Sequence, residues 1–395
     1  MKPPSALGRQ NDIRMNFRDR IKRFFDGTLL RVNLVFILLL IFSYLSVYIH
    51  PHDFWFFALF GIAYPFFLFV NIVFAVVWAV KKKKVFLLPL IVILMGWGHL
   101  SNTFSINPHN RAPRELDNTF SFLSYNVRLF DLYEWIGDEW VRDSIYRFIL
   151  SEDPDIIAIQ EYFYREDDPF NETRNYSRLH NRHSHIAFSR STGSNFNFGM
   201  ATFSRYPILN RGEIRYKNTS NITIYSDIKI NNDTVRVYNN HLQSFNFSRE
   251  DLDFIDKLAA GKTGRDISGF RNLARRMNQA YKMRSRQVDT LVKNISESPY
   301  PVIITGDFNE TPVSHTYRRL RRLGLNDAFS QSGSGLGTTY ISAIPLFRID
   351  YILHSRILQS YYFCSPSIEL SDHYPLQTNF TFNRGNKARS SISGR

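Results

Sequence analysis

The sequence predicts an α/β domain rich in antiparallel strand, carried behind a membrane-spanning segment. Three observations predict it. Long apolar runs crowd the N-terminal quarter, short β-branched runs then alternate with amphipathic helical stretches, and polar groups capable of catalysis recur where those short runs end.

Composition sets the outer bounds. With 44% hydrophobic and 15% aromatic residues in 395, the chain has enough apolar surface for a substantial core and does not read as disordered. A single cysteine, Cys364, excludes an intramolecular disulfide framework and any multi-cysteine zinc site. The net charge of +14 suits an anionic partner such as nucleic acid, phosphorylated metabolites or acidic lipid headgroups. Part of that excess is topological. Residues 1–31 hold eight Lys or Arg against three Asp, and Lys81, Lys82, Lys83 and Lys84 lie beside an apolar run.

The apolar runs cover residues 32–49, 55–80 and 85–100. Crossing the hydrocarbon takes roughly 20 apolar residues, about 17 to 25 in practice, so the second run is long enough and the others are slightly short, with flanking lysines able to snorkel. The expectation is therefore three transmembrane helices over 32–100 behind a basic leader, 1–31. The alternative of three buried helices in a soluble domain fits poorly with so few polar positions. A cleaved signal peptide fits poorly with the long leader. The positive-inside bias places the N-terminus and the 81–84 turn in the cytoplasm. Three crossings would carry the rest of the chain to the extracytoplasmic or periplasmic side of a bacterial inner or plasma membrane.

Residues 101–117 read as a polar linker with Pro108 and Pro113. Strands are expected over 120–127, 155–161, 185–188, 199–204, Ile222–Ile230 and 234–241, with a helix near 139–150. Residues 248–297 form the longest helical block. Its apolar stripe includes Leu273, Met277, Val288 and Leu291, and Arg271, Arg275, Arg276, Lys282, Arg284 and Arg286 cover much of the remainder. That basic run reads as a solvated face or, alternatively, as a phosphate-attracting rim. Further strands are expected over 301–305, 348–353 and 361–364, a basic helix over 315–323 and a polar tail over 383–395.

The chemistry gathers around residues 301–312. Pro-Val-Ile-Ile-Thr reads as a short buried strand running into Gly306-Asp307-Phe308-Asn309. The glycine lets the backbone turn, so Asp307 and Asn309 can share one side while Phe308 points to the core. Alone, the motif is equally a turn with local hydrogen bonds. Five other places repeat the pattern of polar groups at strand ends: Asn126; Gln160 and Glu161; His241 in His-Leu-Gln-Ser; Asp350 in Arg348-Ile349-Asp350-Tyr351-Ile352-Leu353; and Asp372-His373. Singly each has a structural explanation, Asp350 for instance as a charge paired with Arg348.

Together and in this order, the motifs resemble the endonuclease/exonuclease/phosphatase superfamily over about residues 118–382. The superfamily includes DNase I, AP endonucleases, inositol polyphosphate phosphatases and neutral sphingomyelinases. The resemblance implies a four-layer α/β sandwich, two packed mixed sheets flanked by helices, and hydrolysis of phosphodiester or phosphomonoester bonds with Mg²⁺ or Mn²⁺. It further implies that Glu161 is the main metal ligand, helped by Asn126 and Asp372. Asp307 would orient or deprotonate the water, and Asn309 would hold the scissile phosphate. His373, oriented by Asp350, would act on the phosphate, as would His241. Hard oxygen donors suit these metals, and a carboxylate beside an imidazole favours its charged form. His241 resembles the DNase I, phosphatase and sphingomyelinase branches more than the AP endonucleases. The implied substrate is nucleic acid, a nucleotide, or a lipid or sugar phosphate, with no obligate protein partner. A non-catalytic phosphate-recognition module is the alternative.

Overall fold

A computed structural model of the chain describes residues 17–107, 119–137, 140–192, 195–259, 262, 267–341 and 347–383. Most of the expected leader, the 108–117 part of the linker and the tail beyond residue 383 lie outside the described residues.

The N-terminal unit is helical. α1 (Phe17–Ser46) is followed by the short α2 (Pro51–Phe54) and α3 (Phe57–Ile62), then α4 (Tyr64–Val80), α5 (Leu87–Met95) and α6 (Trp97–Thr103). α1 packs against α3, α4 and α5. Buried polar bonds tie them together: Trp78 Nε1 donates to Asn33 Oδ1 (3.1 Å) and Asn71 Nδ2 to the Phe36 carbonyl (2.9 Å).

The expectation of three spans needs correction. Among the described residues one helix is long and apolar enough to cross a membrane, over Arg20–Ser46. The run expected to be the most secure, 55–80, breaks into two helices, and the longer, Tyr64–Val80, has only 17 residues. At 1.5 Å per residue that is about 25 Å, short of a hydrocarbon core of about 30 Å. The break falls at Ala63, just before Pro65, whose nitrogen has no N–H to donate to the residue-61 carbonyl, and Gly61 there lies against the second unit, where a Cβ would stand 2.2 Å from the Val313 carbonyl oxygen. The third run bends by 67° between Lys84–Met95 and Trp97–Thr103 and counts as a second span only if the bent pair is one crossing.

Beyond β1 (Ser105–Ile106) the chain lays down β2 (Thr119–Asn126), α7 (Val141–Glu152), β3 (Ile156–Arg165), α8 (Arg174–His180), β4 (His183–Ser191) and β5 (Phe196–Ser204). Then come β6 (Ile208–Arg215), β7 (Ile222–Ile230), β8 (Asp233–His241), α9 (Arg249–Ala259), α10 (Ile267–Ser296), β9 (Val302–Asp307) and α11 (His315–Arg321). The last elements are β10 (Asn326–Asp327), α12 (Ala328–Ser332), β11 (Ser334–Gly335), β12 (Asp350–His354), β13 (Leu358–Cys364) and β14 (Leu376–Phe382). Of these strands, β6, β14 and the two-residue β1, β10 and β11 are not among those expected from the sequence.

Two six-stranded mixed sheets result, ordered β13-β14-β2-β3-β5-β4 and β10-β12-β9-β8-β7-β6. Each has one parallel pair at its centre, β2 with β3 and β8 with β9. Alternation along the strands sends one set of side chains between the sheets, where Phe122, Ile156, Ile228, Val237, Ile303 and Leu376 form a shared core. The other set meets helices. Leu123, Ile157 and Ile159 pack with Ile145 and Ile149 of α7, and Ile304, Val302 and Leu353 with Val288 and Leu291 of α10. Each such buried aliphatic side chain contributes roughly 1.5–3 kcal/mol. Helix, sheet, sheet, helix is the four-layer arrangement expected. A buried amide pair pins the sheets together: Gln160 Nε2 donates to Asn239 Oδ1 (2.7 Å), and Asn239 Nδ2 to the carbonyls of Ile159 (3.1 Å) and Ala201 (3.0 Å).

The helical unit is docked on this sandwich, not tethered at a distance. β1 pairs with β11, so the expected linker starts as the end of α6 and continues as a short strand. Val313 is buried with Leu40, Val47, Tyr64, Leu68 and Ile93 of the helices. His50 Nε2 lies 3.2 Å from Asp289 Oδ2, the Arg318 guanidinium 4.0 Å from the Tyr48 ring, and Arg348 Nη2 donates to the Asn102 carbonyl at 2.7 Å.

Candidate active site at the strand ends

The parallel central pairs point their C-terminal ends the same way, which brings Asn126, His241 and Asp307, the last residues of β2, β8 and β9, to one rim; Glu161 joins them from inside β3, which runs on to Arg165 where the sequence suggested an end at residue 161. Gly306 is required there: its φ is +119° and a Cβ would lie 2.0 Å from the Asn240 carbonyl oxygen. Asn309 follows in the left-handed region (φ 54°), and Phe308 enters the core as expected. Glu161 sits at φ 52° where the β3–β5 register shifts between Ile159 and Tyr162, a bulge that re-aims its side chain.

Asp350 enters from β12, which runs antiparallel to β9 and places it directly opposite Asp307. His373 precedes β14. Its Nδ1 lies 2.8 Å from Asp350 Oδ2, and its Nε2 lies 3.7 Å from Asp307 Oδ2 and 4.0 Å from Asp372 Oδ1. On the other flank His241 Nε2 lies 3.6 Å from Glu161 Oε1 and 3.8 Å from Asp307 Oδ2. Asn126 Nδ2 bridges Glu161 Oε1 (3.3 Å) and Asp307 Oδ2 (3.2 Å). Asn309 Nδ2 donates to Asp307 Oδ2 (3.0 Å) and the Leu242 carbonyl (3.1 Å). All eight residues singled out from the sequence thus meet in one place. Arg348 does not pair with Asp350 and instead forms a buried pair with Asp327, 2.9 Å away.

The two histidines differ electrostatically. Burial opposes charge on His373, but Asp350 and then Asp307 outweigh it and raise its pKa well above the usual histidine value. Burial dominates at His241 and lowers it. The Asp307 carboxyl is raised chiefly by desolvation, and so is that of Glu161, with Asp372 adding to the rise.

Four residues not singled out from the sequence also belong to the site. Arg128 donates its backbone N–H to Asn126 Oδ1 (3.1 Å) and places Nε 3.3 Å from Asp372 Oδ2. It opens a run, Arg128 to Asp131, in which four successive residues have φ between 44° and 60°. Such backbone costs roughly 1–2 kcal/mol per residue and is tolerated where surrounding structure holds it, often at functional sites. Tyr340 sets its ring 5.2 Å from that of His373, Thr339 Oγ1 accepts from the Asp350 N–H (3.1 Å), and Ser371 Oγ donates to the Asn126 carbonyl (2.8 Å). Arg128, two residues after Asn126, was within reach of a sequence reading; Thr339 and Tyr340 arrive from a loop with no local signal.

Asp307, Asp350 and His373 form the tightest group of possible metal donors among the described residues, all within 4.8 Å, but His373 Nδ1 and Asp350 are already spent on each other. Glu161, Asp307, Asp350 and Asp372 together face only Arg128 and a charged His373. That surplus of hard, negatively charged oxygen fits a divalent cation, with Glu161 and Asp372 as the free carboxylates.

Two mixed sheets between helices, with a carboxylate–histidine array along one rim, define a DNase I-like α/β sandwich. Residues 123–373 match the model of the Endonuclease/Exonuclease/phosphatase family, whose members are phosphoesterases and nucleases, and the chain belongs to that family. Residues 23–103 match a domain of unknown function (DUF8431). No curated protein matches the sequence. Similar solved structures include an endonuclease/exonuclease/phosphatase from Beutenbergia cavernae, 13% identical, covering 67% of this chain and 72% of that one at a TM-score of 0.47. The human Nocturnin catalytic domain is 18% identical over 68% of this chain and 96% of its own, also at 0.47. A family protein from Bacteroides thetaiotaomicron is 16% identical over 68% and 96%, again at 0.47. Likeness at this level carries no weight for function, and family membership rests on the sequence match.

Proposed function

We propose that the protein is a membrane-anchored, divalent-metal-dependent phosphoesterase whose site faces away from the cytoplasm. The observation that carries the reading is the buried Asp350–His373–Asp307 array at the rim of two sheets. Asp350 holds Nδ1 and so directs Nε2 to where a phosphate oxygen would lie; the raised His373 presents a proton there. Asp307, its carboxyl raised and braced by Asn309, is placed to orient a water and take its proton. Asn309, fixed by the Leu242 carbonyl, holds the phosphate, and neutral His241 borders it from the other flank. A metal held by Glu161, with Asn126 and Asp372 assisting, would neutralise phosphate charge and lower the pKa of bound water.

Anchoring is supported by the outward faces of the helical unit, where Leu34, Val35 and Leu38 of α1 and Phe66, Phe69 and Val76 of α4 are exposed. Sidedness is supported by charge. Lys81 and Lys83 pair with Asp26 at one end of the unit, while the sandwich contacts His50, Gly61 and Asn102 at the other. The positive-inside bias then favours an extracytoplasmic sandwich.

The test is hydrolysis of a phosphodiester reporter by the full-length protein in detergent, with Mg²⁺ or Mn²⁺. His373→Ala and Asp307→Asn should each lower turnover by about 10² to 10⁴-fold while circular dichroism shows the fold retained. Chelation should abolish it. Wild-type rates in either variant, or turnover indifferent to chelator, would sink the reading.

A further inference from the structure

Beside Glu161 and His241 opens a cleft of about 470 Å³, a size ordinary for a small-molecule site of roughly 300–1,000 Å³. Its walls come from the β4–β5 hairpin, the β6–β7 turn, the segment after β8 and one face of α10. Their polar chemistry is mostly neutral. Thr219 Oγ1 donates to Asn221 Oδ1 (2.6 Å) or Gln243 Oε1 (2.9 Å), and Ser244 Oγ donates to Asn246 Oδ1 (2.7 Å). The backbone N–H of Gln243 is bound in turn by Gln287 Oε1 (2.8 Å). These bonds fix amides and hydroxyls before any ligand arrives.

α10 sharpens the point. It is strongly basic, yet the residues it turns to the cleft are Gln279 and Met283, one helical turn apart. Arg276 is engaged with Asp251 and the Asn246 carbonyl, and Arg284 is buried against Glu310. The basic run therefore forms no phosphate-attracting lining, and Arg190 is the one cation among the described lining residues. Phe198 and Met283 add apolar faces among the amides.

Edges that hydrogen-bond and faces that pack suit an uncharged ring bearing hydroxyls. A second phosphate there would lose its hydration against neutral groups, an unfavourable exchange without paired cations. The geometry points to a substrate in which a polyhydroxylated ring, a sugar or cyclitol, is esterified to the single scissile phosphate. This rests on the phosphoesterase reading above. In the reaction the water oxygen bonds to phosphorus and the bond from phosphorus to the ring oxygen breaks. The ring leaves as its alcohol with one of the water's protons, and the phosphate keeps the other. The cleft recognises the same ring whether its phosphate is free or belongs to the headgroup of a lipid in the same membrane.

The experiment compares kcat/KM of the full-length protein in detergent with Mg²⁺ or Mn²⁺ for glucose 1-phosphate, myo-inositol 1-phosphate, phosphatidylinositol in phosphatidylcholine vesicles, inositol hexakisphosphate, a short oligonucleotide and bis(p-nitrophenyl) phosphate. At least one singly phosphorylated ring substrate, free or lipid-borne, should exceed both polyanions by about tenfold or more. Asn221→Ala and Asn246→Ala should each lower the ratio of ring substrate to nitrophenyl reporter by about three- to tenfold, the loss of one neutral hydrogen bond. Preference for the oligonucleotide or the hexakisphosphate, or a ratio unmoved in both variants, overturns the ring assignment while leaving the phosphoesterase reading intact. Failure of wild type to hydrolyse any of these compounds overturns both.

Discussion

His354 is wholly buried on β12, with Nδ1 3.1 Å from the Ser355 carbonyl and its ring 5.1 Å from Phe380. Burial lowers its pKa to about 4, and the same cause does so for His185. The folded values lie below the free value of about 6.5. Between about 6.5 and 4, then, the unfolded chain takes up protons that the folded chain refuses, and stability falls as pH falls through that window. The thermal midpoint should drop on acidification over this range, and His354→Gln should flatten the drop; an equally steep profile in the variant would show that His354 is not its source. At the site, Asp350→Asn keeps a hydrogen-bonding group but removes the charge that sustains protonated His373, so kcat should fall by about 10² to 10⁴-fold with a smaller change in KM. Asp350, His373, Asp307 and Asn309 were legible because each stands at the end of a strand-like run. Arg284 was legible only as one more cation on a basic helix. Its burial beside Glu310 depends on how α10 packs.

The β9–α11 connection joins the site to the helical unit. Asn309 holds Asp307; Glu310 follows, with its backbone carbonyl accepting from Tyr351 Oη (2.6 Å) and its carboxylate 3.5 Å from Arg284 Nη1; Val313 then seats among the helices. Breaking a buried ion pair from one side typically costs about 3–5 kcal/mol. Arg284→Met should therefore destabilise the protein by that order, and Arg284→Met with Glu310→Gln should recover part of the loss, as read by chemical denaturation. Gly61→Val places a side chain against the Val313 carbonyl and should cost about 1–3 kcal/mol by overpacking. Strands β2, β3, β7, β8 and β9 were evident from dense β-branched or aromatic runs. β6 and β14 were not, because polar residues occupy many of their positions and pairing with β7, or with β2 and β13, makes them strands. The three apolar runs were legible as helix, but their lengths were not: Pro65, a small interruption in the apolar pattern, opens a new helix and divides the second.

At the scale of the molecule, the helical unit and the sandwich share one interface, so the strand domain should not behave as an independent piece. Removal of residues 1–111 should expose Val313 and leave Arg348 without the Asn102 carbonyl, lowering the thermal midpoint relative to the full chain in detergent. A reporter fused after Arg395 should be active only outside the cytoplasm; activity confined to the cytoplasm would overturn the proposed sidedness. Strand alternation and short motifs are local properties of the chain, so the α/β class, the apolar N-terminus and eight candidate site residues could be read from residue order alone. Their meeting at one rim, from positions up to 247 apart, came from the tertiary structure, as did the finding that one unbroken helix among the described residues, not three, has the length to span. Parallel pairing aligns distant strand ends, and the bend between successive apolar helices is set by what they pack against. Both depend on what lies beside a residue in space, which its sequence neighbours do not specify.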